Sequence, residues 1–445
     1  MARRPQRKKK KLPTGLVELT IHSLTHDGRG VARRDGKTQF VAGALMGETV
    51  RARYTDTRSK FDELVAEEIL VASEDRITPP CPHALLCGGC SLQYIDTEAQ
   101  IRFKQSVLQG QFRHFGEIAV ESLLPPMTGP STGYRRKARL GVRYVGKRDE
   151  MLLGFREKAS RSITNIHDCL VMDERVSVHI DALRSVVRSL KAYREITHIE
   201  VAAGDADVAL VFRHLSPLTD DDIQTLLQFG ETYQFHIYLQ PQNAESTHRI
   251  YPASGEERLS YRLDSFDLDM KFHPLDFTQV NADINQQMVQ RAIEWLALTP
   301  DDRVLDLFCG LGNFTLPIAR HAKEVVGVEG SETMVLRGRE NAEHNQLTNT
   351  AFYGADLQAD FTKADWAKEG FDKILIDPPR SGALDVVRYL PKFGAKKIVY
   401  VSCNPATLSR DAGILVEHGY RMVKAGVMDM FPHTTHVESM ALFEK

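Results

Sequence analysis

Three stretches of this chain place reactive residue types at spacings that can do chemistry. Lys397–Asp411 reads KIVYVSCNPATLSRD. Its apolar run, Ile398-Val399-Tyr400-Val401, has the composition of a strand buried on both faces of a parallel sheet. Asn404-Pro405 ends the run and opens a helix, so Cys403 falls at a strand's carboxyl end, where open α/β sheets keep their chemistry. A thiol there is a candidate nucleophile. The competing reading is a packing cysteine, since free Cys is among the most buried residue types.

A second stretch, Cys81 to Cys90, has the spacing C-x5-C-x2-C, with Gly88-Gly89 letting the backbone curl so that three sulfurs converge. Three cysteines this close read as metal ligands. Cys169 is the best candidate for a fourth ligand, with His83 as the alternative. All-thiolate ligation suits an iron–sulfur cluster or zinc. Zinc sites more often pair two C-x2-C knuckles, and this stretch has one close pair, which favours the cluster.

The third stretch starts at Val304 and reads VLDLFCGLGNF, a strand, a glycine turn and a helix start. Gly310 and Gly312 allow the backbone to approach a ligand closely. Val325-Val326-Gly327-Val328 ends on Glu329, a carboxylate placed to accept ribose hydroxyls. Asp356, beyond Phe352-Tyr353-Gly354, can accept an adenine amino group. Ile374-Leu375-Ile376 ends on Asp377-Pro378-Pro379-Arg380, a rigid, non-helical lip. The third glycine of a dinucleotide fingerprint is missing, and Cys309 reads as a packing thiol.

The elements that must hold these groups follow from length and pattern. A chain of 445 residues implies two to three domains, and a net charge of −2 with 42% apolar residues is ordinary for a globular protein. Arg3, Arg4, Arg7 and Lys8 to Lys11 form a basic block, expected to be a solvated tail that can add affinity for phosphates. No apolar run is long enough for a membrane span or signal core, so an intracellular, cytoplasmic protein is expected, with no sign of an obligate protein partner. Six cysteines in such a chain do not read as a secreted disulfide framework.

From Leu16 to about Val71, Val17, Leu19 and Ile21, then Val50, Ala52 and Tyr54, alternate between punctuating glycines, which predicts a small β barrel. Arg29, Arg33, Arg34, Arg51, Arg53, Arg58 and Lys60 offer it a phosphate track, or are merely exposed charges. A helix is predicted from Asp96 to about Phe115, with Ile101, Leu108, Phe112 and Phe115 on one stripe and Arg102, Lys104 and Arg113 elsewhere. In Gly133–Tyr144, Ala138, Leu140, Val142 and Tyr144 share one strand face and Lys137, Arg139 and Arg143 the other, a candidate RNA contact. Residues 176–270 are expected to mix a helix over Val176–Leu190, a hairpin around Ala203-Gly204-Asp205, a helix over Asp220–Phe229, and strands over Tyr233–Leu239 and Tyr261–Met270. From Phe277 strands and helices alternate, the signature of a parallel sheet.

Taken together, F-x-Q-V-N, D-x-F-C-G-x-G-N-F, D-P-P-R, S-C-N-P-x-T-x-x-R-D and the ending Phe431-Pro432-His433-Thr434-Thr435-His436-Val437-Glu438 resemble the class I S-adenosylmethionine-dependent RNA uracil-5-methyltransferases. The early stretch LTHDGRGVARRDGKTQFVAGALMGETVRARY resembles a TRAM domain, an RNA-binding OB-like barrel. The resemblance implies a multidomain α/β protein: a basic tail over 1–14, a TRAM barrel over 15–73, an α+β domain with an iron–sulfur cluster over 74–274, and a Rossmann-like methyltransferase domain over 275–445. It implies 23S rRNA as partner, because by resemblance the tRNA branch lacks barrel and cluster.

By position, the resemblance makes Cys403 the nucleophile and Glu438 the general base. It assigns Gln279, Phe308, Asn313, Glu329, Asp356 and Asp377 to the S-adenosylmethionine site, and Cys81, Cys87, Cys90 and Cys169 to a [4Fe-4S] cluster. Thiolate addition at uracil C6 would make C5 nucleophilic, and a base would then remove the C5 proton. Arg380 stands where cytosine-5 enzymes carry a cysteine, and the C-x3-C-x2-C spacing of radical methylthiotransferases is absent. A tRNA uracil-5-methyltransferase, and a non-catalytic RNA-binding iron–sulfur protein, are the remaining alternatives; the latter would need neither Cys403 nor Glu438.

Overall fold

A computed structural model of the chain describes residues 12–115 and 118–445. The basic block from Arg3 to Lys11 lies outside the described residues. The chain divides into two compact units. One comprises the described residues through Ala84, with Cys90–Gln100 and His433–Thr435; the other comprises Leu85–Gly89, Ile101–Pro432 and His436–Lys445.

The first unit is built on β1 (Val17–Thr20), β2 (Ser23–Leu24), β3 (Gly30–Arg34), β4 (Lys37–Ala42), β5 (Thr49–Thr57) and β6 (Phe61–Val71). The strand order is β1-β5-β6-β4-β3-β2. β1 and β2 are consecutive in the chain yet stand at opposite ends of that order, so the sheet closes on itself. In the two-residue link between them, the His22 amide donates to the Val31 carbonyl of β3 (2.9 Å). Leu19, Ile21, Val41, Val50, Ala52 and Leu64 fill the interior, as the period-2 pattern requires. Much of the expected cationic track is neutralised on the barrel itself. Arg51 pairs with Glu68 (3.1 Å) and Arg53 with Glu67 (2.5 Å) across β5 and β6, Arg58 with Asp56 and Arg29 with Asp27 (both 2.9 Å), and Arg34 with Asp35 (3.5 Å). Arg33 and Lys60 have no ion pair among the described residues.

The second unit holds the rest. After α1 (Thr97–Phe115) and the short β7 (Ser122–Leu123) come β8 (Lys137–Val145), β9 (Glu150–Gly154), α2 (Glu174–Ser177), α3 (Ile180–Ser189), β10 (Ile196–Ala203), β11 (Val208–His214), α4 (Asp220–Tyr233), β12 (Phe235–Gln240) and β13 (His248–Tyr251). The sheet β13-β12-β11-β10-β8-β9 packs Leu140, Val142, Ile199 and Leu210 against Ile180, Leu183 and Leu226 of α3 and α4. The structure corrects three expectations here. The helix over Val176–Leu190 is two, parted at Val178-His179, where the His179 ring packs on Tyr233 (4.8 Å between centroids). Tyr233 closes α4 rather than opening a strand, because Gln234 caps the helix in the left-handed region (φ 57°). The strand over Tyr261–Met270 is a hairpin, β14 (Leu259–Leu263) and β15 (Leu268–Phe272), reversed through Asp264–Phe266 and a left-handed Asp267 (φ 50°).

The last portion alternates α5 (Ala282–Leu296), β16 (Arg303–Leu307), α6 (Thr315–Ala319), β17 (Glu324–Glu329), α7 (Glu332–His344), β18 (Thr350–Gly354), β19 (Lys373–Ile376), α8 (Leu384–Tyr389), β20 (Lys397–Ser402), α9 (Pro405–Glu417), β21 (Arg421–Met428) and β22 (Glu438–Glu444). The sheet order is β18-β17-β16-β19-β20-β22-β21-β7. β16 to β20 are parallel, and β22 runs antiparallel between β20 and β21. Ile284, Met288 and Leu316 cover one face, and Leu108, Val387 and Leu408 the other, so the sheet is wound on both sides. Among the described residues no helix is long and apolar enough to cross a membrane.

Lys104 is the fourth correction. It is fully buried, on the stripe with Ile101 and Leu108, because positions three and four apart on a helix share a face. Its ammonium donates to Asp429 (2.6 Å) and to the Phe431 carbonyl (2.9 Å), which makes burial tolerable. Burial lowers its pKa and the Asp429 carboxylate opposes that shift. Lys104→Ala is expected to destabilise this unit by about 3–5 kcal/mol in denaturant titrations, because it strands the Asp429 carboxylate. Arg113→Ala, on the exposed face of the same helix, is the control, expected within about 0.5 kcal/mol of the parent.

Candidate active site

The carboxyl ends of the parallel strands set out the site. The SCNP turn after β20 is locally self-supporting. Ser402 Oγ receives the Asn404 amide (3.1 Å) and donates to the Asn404 carbonyl (3.0 Å), and Asn404 Oδ1 caps α9 through the Ala406 amide (3.1 Å). Pro405 takes the first helical position, where no N–H is needed. Beneath the turn, the fully buried Asp411 accepts from the Tyr400 hydroxyl and the Ala383 amide (both 2.7 Å), fixing α9 against β20 and the start of α8. Asn404 Nδ2 also donates to the Arg380 carbonyl (3.1 Å), tying the turn to the Asp-Pro-Pro-Arg lip.

Glu438 arrives from the antiparallel strand. The register pairs Ser402 with Ser439. That pair closes the ladder, so Cys403 and Glu438 are the residues immediately beyond it on the two chains, near enough for the Glu438 carboxylate to act on the thiol. Two residues far apart in sequence are thereby brought together by one strand pairing. Glu438 is buried and Cys403 half-buried.

Three acids and the thiol share little solvent. Burial pushes the Cys403 thiol up to about 11, and the Glu438 and Asp377 carboxylates add to the rise while Arg380 opposes it. Burial likewise raises Glu438 to about 8, with Asp377 adding and Lys104 and Arg380 opposing. Asp377 is raised by burial to about 7. Asp306, one strand over, is raised by burial to about 8 against the stabilising hydrogen bond from Thr315 (2.6 Å). The thiol is therefore neutral near pH 7, and its ionisation is gated by the charge on its neighbours.

The glycine turn forms the adjoining wall. Phe308 takes a left-handed backbone (φ 63°) that lets its amide and that of Cys309 both donate to the Val328 carbonyl (2.9 and 3.2 Å). Gly310 (φ 53°) donates its amide to Glu329 Oε2 (3.2 Å), and the Ser331 amide binds Oε1 (3.0 Å), so Glu329 is held at the end of β17. Gly312 has φ 97°, and a Cβ there would meet Leu316 at 2.5 Å. Cys309 is buried, as a packing thiol should be.

The remaining sequence-derived positions are dispersed around this edge. Asn313 is clamped by the Tyr261 hydroxyl (2.8 Å) and by a reciprocal amide pair with Asn285 (2.9 and 3.1 Å). Gln279 lies half-buried in the loop that enters α5. Asp356 is exposed, two residues past β18, and accepts the Gln358 amide (2.9 Å). Sequence reasoning missed Lys104, Asp429, Tyr261 and Asn285. Helical spacing with Ile101 and Leu108 could have found Lys104; Tyr261 and Asn285 carry no sequence signal for this contact.

The four cysteines named as ligands are found in both units. Cys81 and Cys90 belong to the first, Cys87 and Cys169 to the second. Cys90 is buried and the other three are half-buried. Cys87 Sγ accepts the Gly89 amide (3.4 Å), and a Cβ at Gly88 would lie 2.7 Å from the Arg156 carbonyl, so only glycine fits that turn. Ser177 Oγ clamps Cys169 by bonding both its amide (2.8 Å) and its carbonyl (3.0 Å). Four thiols, with an amide hydrogen bond to the Cys87 sulfur, are donors of the type an iron–sulfur ligand set uses. Among the described residues, no group of three or more His, Cys, Asp or Glu stands as a formed metal site.

Comparison with known proteins adds the family. The family described as tRNA (uracil-5-)-methyltransferase matches residues 96–445. Proteins named 23S rRNA (uracil(1939)-C(5))-methyltransferase RlmD from Hahella chejuensis and Alcanivorax borkumensis are each 55% identical, with 99% of both chains covered. One from Acinetobacter baumannii is 49% identical over 96% of this chain and 95% of its own. The crystal structure of the Pyrococcus abyssi tRNA (uracil-54, C5)-methyltransferase with S-adenosyl-L-homocysteine superposes with a TM-score of 0.74 at 25% identity, covering 96% of this chain and all of that one. With its parallel strand ends, glycine turn and SCNP turn in place, the chain belongs to this family of S-adenosylmethionine-dependent uracil-5-methyltransferases.

Proposed function

We propose that this protein methylates C5 of a uridine in 23S rRNA, the uracil numbered 1939 in the names of its relatives. The observation that supports the chemistry is the register Ser402–Ser439, which ends with Cys403 and Glu438 as the next residues on the two chains. Cys403 is the nucleophile. Its thiolate adds to C6, the C5–C6 π electrons shift toward C5 and O4, and C5 becomes the attacking carbon. S-adenosylmethionine, when bound, supplies the electrophilic methyl group and a positive charge that favours the thiolate. Glu438 then takes the C5 proton, and the electrons left behind expel Cys403 and restore the double bond. Glu329, Asp356, Asp377, Asn313, Phe308 and Gln279 line the cofactor side. The base must leave its RNA stack to reach the thiol.

We assign the barrel as a TRAM-type RNA-binding module and Cys81, Cys87, Cys90 and Cys169 as [4Fe-4S] ligands, on their sequence spacing and thiol chemistry. The cluster would serve folding, since no step above uses an electron. The site of action is the cytoplasm, in line with the bacterial relatives that act on ribosomal RNA.

Labelled methyl transfer to unmodified 23S rRNA and to tRNA tests substrate and chemistry together. Label is expected in 23S rRNA as 5-methyluridine and to be abolished by Cys403→Ala. Glu438→Gln should slow turnover by about 10²–10⁴-fold and accumulate a covalent RNA adduct. Label in tRNA alone would overturn the substrate.

The acid–thiol coupling has its own signature. Glu438 is protonated below about pH 8, so turnover limited by proton removal should rise with pH and level off above that value. Alkylation of Cys403, followed by mass spectrometry, should show its apparent pKa falling below about 11 in Glu438→Gln, because a repelling carboxylate is gone. An unchanged value would sink the coupling.

Anaerobically purified protein should carry about four iron and four sulfide per chain, lost on Cys87→Ser or Cys169→Ser. Metal without sulfide would point to zinc.

A further inference from the structure

We infer that the open part of the central sheet's outer face is a track for RNA phosphates leading into the active site. The inference rests on the reading that the substrate is RNA. The track is a groove of about 680 Å³ lined by Arg139, Arg143, Arg156, Arg161 and Arg194, with Tyr144 and no acidic residue in its wall. All five arginines are exposed. Arg143, Arg156 and Arg161 have no ion pair among the described residues, whereas Arg139 is bonded to Glu200 (2.5 Å). Arg194 lies over the Tyr144 ring (5.0 Å). This contrasts with the barrel, where most of the candidate cations are paired.

Strand parity connects the groove to the catalytic core. Ala138, Leu140 and Val142 of β8 point into the core shared with α3 and α4, so Lys137, Arg139, Gly141 and Arg143 occupy the opposite face. The register sets Lys137 against Ala202, Arg139 against Glu200 and Gly141 against His198. Ala202 belongs to the core that includes β14, β15 and α5. Lys137 Nζ donates to the carbonyls of Pro274 and Asp276, in the segment that runs into Gln279. One end of this face is therefore covered by the catalytic portion, and the other end lies open. From Lys137 to Arg143 the strand spans about 20 Å. Arg156 and Arg161 come from the segment after β9, which folds back through an Arg156–Ile163 bridge, and Ile163 lies over Gly141 where a Cβ would meet it at 2.9 Å. Exposed guanidinium groups on a flat floor suit a phosphodiester backbone.

The test is a triple variant, Arg143→Gln, Arg156→Gln and Arg161→Gln, with a matched Arg→Lys triple. Binding to a 23S rRNA fragment is measured as a function of salt, and methyl transfer at saturating and limiting RNA. The Gln triple should lower the slope of log affinity against log salt by about two, at about 0.7 for each single-strand phosphate that is no longer neutralised. It should raise KM at least about tenfold and leave kcat unchanged, while the Lys triple retains most of the binding. An unchanged slope and KM, with the parent enzyme methylating rRNA, would overturn the track and leave the enzymatic reading intact. Loss of kcat with unchanged KM would also overturn it. If the parent methylates no RNA, the binding slope still decides the track separately. Displacement of the RNA by polyglutamate as readily as by competitor RNA would mean an acidic protein partner instead.

Discussion

The pairing of β22 with β20 is the constraint on which the active site depends. β22 enters the sheet antiparallel, so its first residue stands at the same edge as the carboxyl ends of the parallel strands. That is why a residue near the chain's end, Glu438, meets the thiol that follows β20. Side chains alternate across a strand, so a one-residue slip would send Glu438 to the opposite face and present Ser439 or Val437 instead. The register is pinned by burial on both faces: Met440, Ala441, Leu442 and Phe443 are all buried, and β21 grips β22 from the other side.

The same edge gathers like charges at a cost. Burial biases Asp306, Asp377 and Glu438 each toward its neutral form, and the Asp377 charge adds to the rise at Asp306 and at Glu438. Lys104 and Arg380 oppose the rise at Glu438. Lys104 is placed by the helical stripe of α1 and anchored by Asp429, so the stability of the last loop and the acidity of Glu438 are linked through a single ammonium. A thiol made hard to ionise by its surroundings is also a thiol protected from adventitious chemistry until the charge in the pocket changes.

The arginines are distributed unevenly across the molecule. On the barrel, cross-strand partners neutralise most of the cations. On the sheet that holds β8, Arg143 and the neighbouring Arg156 and Arg161 have no ion pair among the described residues, beside a face that continues under the catalytic portion. Phosphate contacts set register and orientation, and base chemistry then needs only one uridine to reach Cys403.

Much of this was legible in the sequence. The buried run Ile398–Val401 closed by Asn404-Pro405, the glycine turn with Glu329 seventeen residues beyond Gly312, and the Asp-Pro-Pro lip are local patterns whose backbone needs are met by their own residues. The alternation of β8 was likewise readable, because one face must be apolar. Tertiary structure alone decided what depends on distant partners. The register of β20 with β22 ends at Ser402 and Ser439, which leaves Cys403 and Glu438 as neighbours just past the ladder. Burial turned Lys104 from an apparent surface lysine into an anchor, and it clamped Asn313 between Tyr261 and Asn285. A tight turn folded Tyr261–Met270 into a hairpin, and one expected helix is parted at Val178-His179. Periodicity reports which face of an element is apolar, whereas pairing, desolvation and charge coupling depend on which other segments are brought against it.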